Sequence, residues 1–367
     1  MFNDSLKRGS LPPTLNQALI SLIPKKDKNL DECSSWRPIS LLNSDVKLLA
    51  KVLACNLDPC LPDIISLDQT GFVRGRQLSS NIRRLLNIVL SPNTSQAAEM
   101  VISLDAEKAF DRVEWDYLFS VLGKFGFGSK FISWIQLLYS APSACVTTNF
   151  QRSEYFPLSR GTRQGCPMSP LLFAIAIEPL SIALKSSSCF TGIFRAGLEH
   201  RVSLYADDLL LYITDPVSCV DNILQILTTF GSFSGYKLNI SKSECFPVNI
   251  TAKQIPSNAL PFRLAHNSFR YLGINISHSL PSLYKNNFKK LVTEIRSDLA
   301  RWDSLPLSLI GRINSIKMNI LPRFLFLFQC LPIFLSKSFI HMLDKIISKF
   351  VWAGKNPRAC RTTLQRS

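Results

Sequence analysis

Two adjacent carboxylates constrain this chain more than any other feature. Tyr205-Ala206-Asp207-Asp208 lies between two proline-free runs, 201–205 and 209–213, both rich in aliphatic and aromatic residues. Each run reads as a strand, so the acids fall at the turn of a hairpin. Acidic residues are depleted in strands, and neighbouring carboxylates repel unless a cation lies between them, so the pattern tolerates an electrostatic cost. Taken alone, such a pair reads at least as well as a solvated acidic turn. A third acid alters the balance. Asp105 closes the apolar run 100–104 and is followed by helix-forming residues, with Phe110, Val113, Tyr117, Leu118, Val121, Leu122 and Phe125 three and four apart up to Gly126. That spacing predicts one amphipathic helix leading away from an acid at a strand end. Three carboxylates on neighbouring strands suit two Mg²⁺ ions about 4 Å apart, an arrangement that activates a hydroxyl and stabilises departing pyrophosphate. The implied chemistry is nucleotidyl transfer.

Other runs accompany these acids in a fixed order: Leu22-Ile23-Pro24-Lys25-Lys26, Trp36-Arg37-Pro38-Ile39-Ser40-Leu41-Leu42-Asn43, and Asp68-Gln69-Thr70-Gly71-Phe72-Val73-Arg74-Gly75-Arg76. Ser103 to Asp111, the Arg160 to Pro170 loop, the Asp-Asp box and Tyr271-Leu272-Gly273 follow. Together they resemble the polymerase region of non-LTR, LINE-type retrotransposon reverse transcriptases over nearly the whole chain. The resemblance implies an α+β right-hand polymerase, with fingers over 1–97, a palm bearing an antiparallel catalytic sheet over 98–280, and a helical thumb over 281–367, the completeness of whose last helices the sequence leaves open. It implies RNA-directed DNA synthesis, in which deoxynucleotides are added to a primer 3′-hydroxyl by two-metal-ion chemistry. RNA template, DNA primer and deoxynucleoside triphosphates are the implied partners, and two Mg²⁺ the implied cofactors, with Mn²⁺ as a substitute.

Carried over position by position, Asp105, Asp207 and Asp208 resemble the catalytic, metal-binding triad, with Asp105 and Asp207 as direct ligands and Asp208 as helper. Phe110 matches the bulky residue that rejects a ribose 2′-hydroxyl, although as the opening residue of an apolar stripe it also reads as core. Gln164 and Gly165 match the loop lining the nucleotide pocket, and Tyr205 stands beside the acids. Lys25 and Arg37 resemble the basic residues over the incoming triphosphate, where planar Arg grips phosphate with two parallel hydrogen bonds; the bland reading of Lys25 to Lys28 is a solvated charge run. Arg74, Arg76 and Arg83, with Tyr271, Leu272 and Gly273, are the candidates for template and primer contacts. The apolar stretch from Leu171 to Leu184 reads as a buried supporting helix.

The 42 Lys plus Arg against 26 Asp plus Glu give a formal charge of +16, which suits phosphate partners. The excess continues in Lys285, Lys289, Lys290, Arg296, Arg301, Arg312, Lys317 and Arg323, as expected of a helical unit gripping a duplex. Ten cysteines show no Cys-x-x-Cys pair or zinc spacing and read as free thiols of a reducing compartment. The most hydrophobic stretch, 320–335, is interrupted by Pro322, Arg323, Gln329 and Pro332 and falls short of a membrane span. Without a secretory leader at residues 1–8, the expected location is inside the cell, nucleus or cytoplasm. Neither an endonuclease nor a Cys/His-rich tail is evident, so the expectation is a fragment. Two other readings compete: a catalytically silent RNA/DNA-binding remnant, with an intron-type splicing cofactor as its remoter form, and a two-metal nuclease. The nuclease has no need of a sugar gate at Phe110 or a pocket loop at Gln164.

Overall fold

A computed structural model describes residues 1–25, 29–92 and 95–356. Lys26 of the basic run, Cys360 and the terminal 361–367 stretch lie outside the described residues. In chain order the strands are β1 (Gln17–Pro24), β2 (Trp36–Leu42), β3 (Glu99–Ala106), β4 (Ser143–Thr148), β5 (Gln151–Arg152), β6 (Phe156–Pro157), β7 (Ile193–Arg195), β8 (Leu198–His200), β9 (Val202–Tyr205), β10 (Asp208–Thr214), β11 (Leu238–Pro247), β12 (Arg263–Leu264), β13 (Ser268–Tyr271) and β14 (Ile274–Ser277). The described residues form two compact units, one drawn from 1–81 and 95–266, the other from 82–92 and 267–356.

The first unit holds two five-stranded sheets. One runs β2-β1-β4-β5, with β6 on β4; the other runs β12-β11-β3-β10-β9. In the second, β10 lies antiparallel to both β3 and β9. Residues 209–213 of β10 are all buried, as are Met100, Val101, Ile102 and Leu104 of β3. Continuous apolar runs of this kind mark strands covered on both faces. Part of that cover is the helix Ser169–Ser186, which packs on β9 and on the helices Trp115–Lys124 and Pro216–Ser234. It is long and apolar enough to cross a membrane, but 67% of its most apolar window is buried inside the protein. The expected supporting role is what the packing shows.

The single helix expected after Asp105 is broken. A turn of helix at Ala109–Arg112 is followed by Val113 at ψ 117° and a second helix at Trp115–Lys124. Other segments claim the backbone groups that a continuous helix would use. Gly161 N–H donates to the Val113 carbonyl at 2.8 Å, and Glu114 N–H donates to the Ser234 carbonyl at 3.0 Å. Gly235, at φ 78°, passes so close to Arg112 that a β-carbon there would collide with its carbonyl. The apolar spacing persisted across the break because both pieces bury the same side: Leu118 and Leu122 are fully buried and Val113 nearly so.

In the second unit β13 and β14 form a hairpin with Tyr271 opposite Ile274. Helices pack beside it around Phe288, Phe324, Phe339 and Phe350. Arg312, expected on a nucleic-acid face, is only 6% exposed. Its guanidinium donates to Asp303 Oδ1 at 2.7 Å and the Phe350 carbonyl at 3.0 Å, and lies over the Phe350 ring. Arg323 is likewise paired, with Asp298 and Glu294. Lys285, Lys289, Lys290, Arg296 and Lys317 remain exposed.

Candidate active site

The hairpin of β9 and β10 turns through Ala206 and Asp207, with Asp208 paired to Tyr205. Leu209 faces Leu104 where the β10–β3 ladder ends, and Asp208 and Asp105 are the next residues along the two strands. Asp105 also faces Asn239 of β11, where the ladder breaks: Asn239 pairs with Asp105, yet Glu244 already pairs with Ser103. This bulge folds Ser243 back onto the acid, so that Ser243 Oγ accepts the Asp105 N–H at 3.1 Å and donates to the Asn239 carbonyl at 2.8 Å.

The three acids feel one another. Asp207 is raised from the usual carboxylate range by desolvation first and by the charge of Asp105. Asp208 is pushed up to about 6 by desolvation, then by Asp207 and Asp105. Its carboxyl is nevertheless exposed, so repulsion from the two neighbours is the firmer cause. Among the described residues, no three acidic, His or Cys side chains converge on one ion-sized point. Near the acids lies Tyr236, whose buried hydroxyl has no hydrogen-bond partner among the described residues and is raised by desolvation and by the charges of Asp207 and Asp105.

Phe110 stands on its one-turn helix, half-buried, with its ring stacked on Phe173 at 4.2 Å between centroids. Phe72 meets it edge-on at 6.2 Å and also approaches the ring of Tyr205 at 6.4 Å. Both Thr162 N–H and Thr162 Oγ1 donate to the Phe110 carbonyl, at 2.6 and 3.1 Å. Gln164 Nε2 donates to Asp111 Oδ1 at 3.3 Å, and the Gln164 carbonyl accepts Ser40 N–H of β2 at 2.8 Å. Gly165, exposed at φ 110°, packs on the Ser40 carbonyl closely enough to exclude a side chain. The loop thus joins the short helix to the first sheet.

Arg37 is exposed on β2, opposite Ile23 of β1. Lys25 follows β1, and its ammonium donates to the Ser34 carbonyl at 2.7 Å. Arg74 is exposed. Arg76 is directed inward, donating to the carbonyls of Gln69 (2.7 Å), Ile65 (2.7 Å), Pro62 (3.1 Å) and Ser66, so it shapes its loop. Arg83, Tyr271, Leu272 and Gly273 belong to the second unit, where Arg83 donates to the Gln329 carbonyl at 2.8 Å and Tyr271 is buried. The sequence alone does not single out Gln69, Ser243 or Tyr236. Gln69 lay within a quoted run, but nothing local distinguishes it from a polar loop residue.

A family model described as reverse transcriptase (RNA-dependent DNA polymerase) matches residues 23–276. The chain is 28% identical over 361 residues to the transposon TX1 uncharacterized 149 kDa protein of Xenopus laevis, covering 97% of this chain and 27% of that protein. It is 26% identical over 340 residues to the retrovirus-related Pol polyprotein from type-1 retrotransposable element R2 of Popillia japonica, covering 88% of this chain and 45% of that one. It thus spans less than half the length of either relative. Among solved structures, telomerase from Candida tropicalis in complex with a TWJ fragment of telomeric RNA superposes with a TM-score of 0.50 at 13% identity, covering 94% of this chain and 59% of that one. At that identity the likeness speaks for the right-hand polymerase fold alone.

Proposed function

The chain belongs to the reverse transcriptase family, on the non-LTR retrotransposon side, and from that premise we propose that it adds deoxynucleotides to the 3′-hydroxyl of a DNA primer along an RNA template. The observation that carries this reading is the register of β3 against β10, in which Leu104 faces Leu209, with Asp105 next along β3 and Asp207 and Asp208 next along the hairpin. All three donors are carboxylate oxygens, and unrelieved repulsion between them suits hard divalent cations. Asp105 and Asp207 would hold the ions directly, with Asp208 assisting. When bound, Mg²⁺ supplies acidification of the attacking hydroxyl and neutralisation of phosphate charge.

The other roles fall to the surrounding side chains. The Phe110 ring, braced by Phe173, would stand against the 2′ position of the incoming sugar. Gln164 and Gly165 would shape the floor of the nucleotide pocket, with Tyr205 at its edge. Arg37 and Lys25 would meet the triphosphate from the β1 and β2 hairpin. Arg74 would contact template phosphate, with Arg76 holding its loop; Arg83 and Tyr271 to Gly273, all of the second unit, would contact nucleic acid. On this reading residues 1–97 act as fingers, 98–280 as palm and 281–367 as thumb, in the nucleus or cytoplasm.

Primer extension on an RNA template tests the proposal. Wild-type protein should extend with Mg²⁺ and deoxynucleotides, and Asp207→Asn should fall to background while its affinity for the primer-template stays within about twofold, because a metal ligand rather than a phosphate contact is lost. A wild-type protein that binds duplex without extending it would instead be the silent remnant.

A further inference from the structure

Ala206 sits at φ 55°, in the left-handed region that a β-carbon disfavours, immediately before Asp207. Such strain persists only where the surroundings over-determine the conformation. Here the determinant is one side chain from a segment 137 residues away. Gln69, 0% exposed, accepts the Ala206 N–H on Oε1 at 3.0 Å and donates from Nε2 to the Ala206 carbonyl at 3.3 Å. Both backbone polar groups of the strained residue are therefore tied to a single amide.

The clamp is itself held. Gly71 N–H donates to Gln69 Oε1 at 2.8 Å, which fixes the orientation of the amide. Leu204 N–H donates to the Asp68 carbonyl at 2.8 Å and Thr70 N–H to the Leu204 carbonyl at 2.9 Å, so residues 68–70 run along β9 like a further strand. Gly71 then lies so close to the turn that a β-carbon would collide with the Ala206 amide nitrogen.

The geometry points to Gln69 as a positioning residue for Asp207: its amide fixes the peptide from which that carboxylate projects, and so sets where a divalent cation is held. Rotating the 206–207 peptide would swing the Asp207 side chain, whereas Asp105 is anchored separately through Ser243. The inference rests on the metal-dependent reading above, and its test separates the two. Gln69→Met keeps the length of the side chain without the amide; Gln69→Asn keeps the amide one methylene too short. Asn81→Ala is the control, since Asn81 Nδ2 donates to the Leu204 carbonyl at 2.8 Å, on the same strand and two residues before Ala206.

Three measurements apply: Mn²⁺ binding by electron paramagnetic resonance, hydrogen exchange of the Ala206 amide, and single-nucleotide extension across a Mg²⁺ titration. Gln69→Met should weaken Mn²⁺ binding about tenfold, the scale typical of groups that orient metal ligands. It should also speed Ala206 exchange and lower kcat with the nucleotide KM unchanged. Gln69→Asn should fall between it and wild type. Asn81→Ala should lower the melting temperature yet keep Mn²⁺ affinity and kcat. Wild-type Mn²⁺ affinity in Gln69→Met overturns the inference; if that variant does not fold, wild-type affinity in Gln69→Asn does so. Loss of Mn²⁺ binding in the variants beside a wild-type protein that extends no primer would instead overturn the polymerase reading and leave Gln69 in place.

Discussion

Phe110 has one face against Phe173 and an edge toward Phe72 and Tyr205, and these contacts give the two readings of its sequence distinct consequences. Trimming the ring to Phe110→Val should raise ribonucleotide relative to deoxynucleotide incorporation about tenfold or more, as expected where a steric wall is the source of discrimination. Competition primer extension with both nucleotide classes reads the ratio, and an unchanged ratio would leave Phe110 as core. Glu178 provides a test of electrostatics away from the acids. It is 1% exposed, accepts Ser66 N–H at 3.0 Å, and is raised above the usual carboxylate value by desolvation. The folded state therefore holds its proton more tightly than the unfolded chain, so the group's contribution to stability declines as pH climbs from the unfolded value through the raised one. Glu178→Gln should flatten that decline: relative to wild type, the variant should be more stable at pH 8 than at pH 4.5, read by urea unfolding at both values. The strand-end and hairpin positions of Asp105, Asp207 and Asp208 were legible in the sequence because their neighbours form apolar runs. Gln69 and Ser243 were not, because each acts on a backbone group more than 130 residues away.

Elements were legible where pattern and environment agree. The hairpin around Ala206 and the buried helix Ser169–Ser186 follow directly from apolar runs and turn chemistry. The break after Arg112 does not, because periodicity reports which side is buried and not who claims the carbonyls. The turn between β13 and β14 places Leu272 at φ 45° and Gly273 at φ 85°, and two positive values favour Asn-Gly over Leu-Gly. Leu272→Asn should thus stabilise the protein by about 0.5–1 kcal/mol in chemical denaturation. Reduced duplex affinity in the same variant would give the leucine side chain its proposed contact with nucleic acid. Gly235→Ala should act in the opposite sense, costing at least about 2 kcal/mol, since it combines a positive φ with a collision against the Arg112 carbonyl.

For the whole molecule, the +16 charge was readable from composition, but not which cations are free to use it. Arg76 is taken up by backbone carbonyls, Arg312 by the Asp303 carboxylate and the Phe350 carbonyl, and Arg323 is paired within the second unit. The remaining exposed lysines and arginines should still make binding strongly salt-dependent: between 50 and 200 mM KCl, primer-template affinity should fall about 10³-fold if six or more phosphates are neutralised, read by fluorescence anisotropy. A flat salt response would remove phosphate as the main partner. The double grip of Thr162 on the Phe110 carbonyl, together with Gly161 on Val113, has a bearing on redesign. Because the ring rides on a single turn whose backbone is anchored by a distant loop, transplanting residue 110 into a foreign scaffold would carry the side chain without its mooring. A graft intended to retune sugar choice must bring the 160–165 loop along as one cassette.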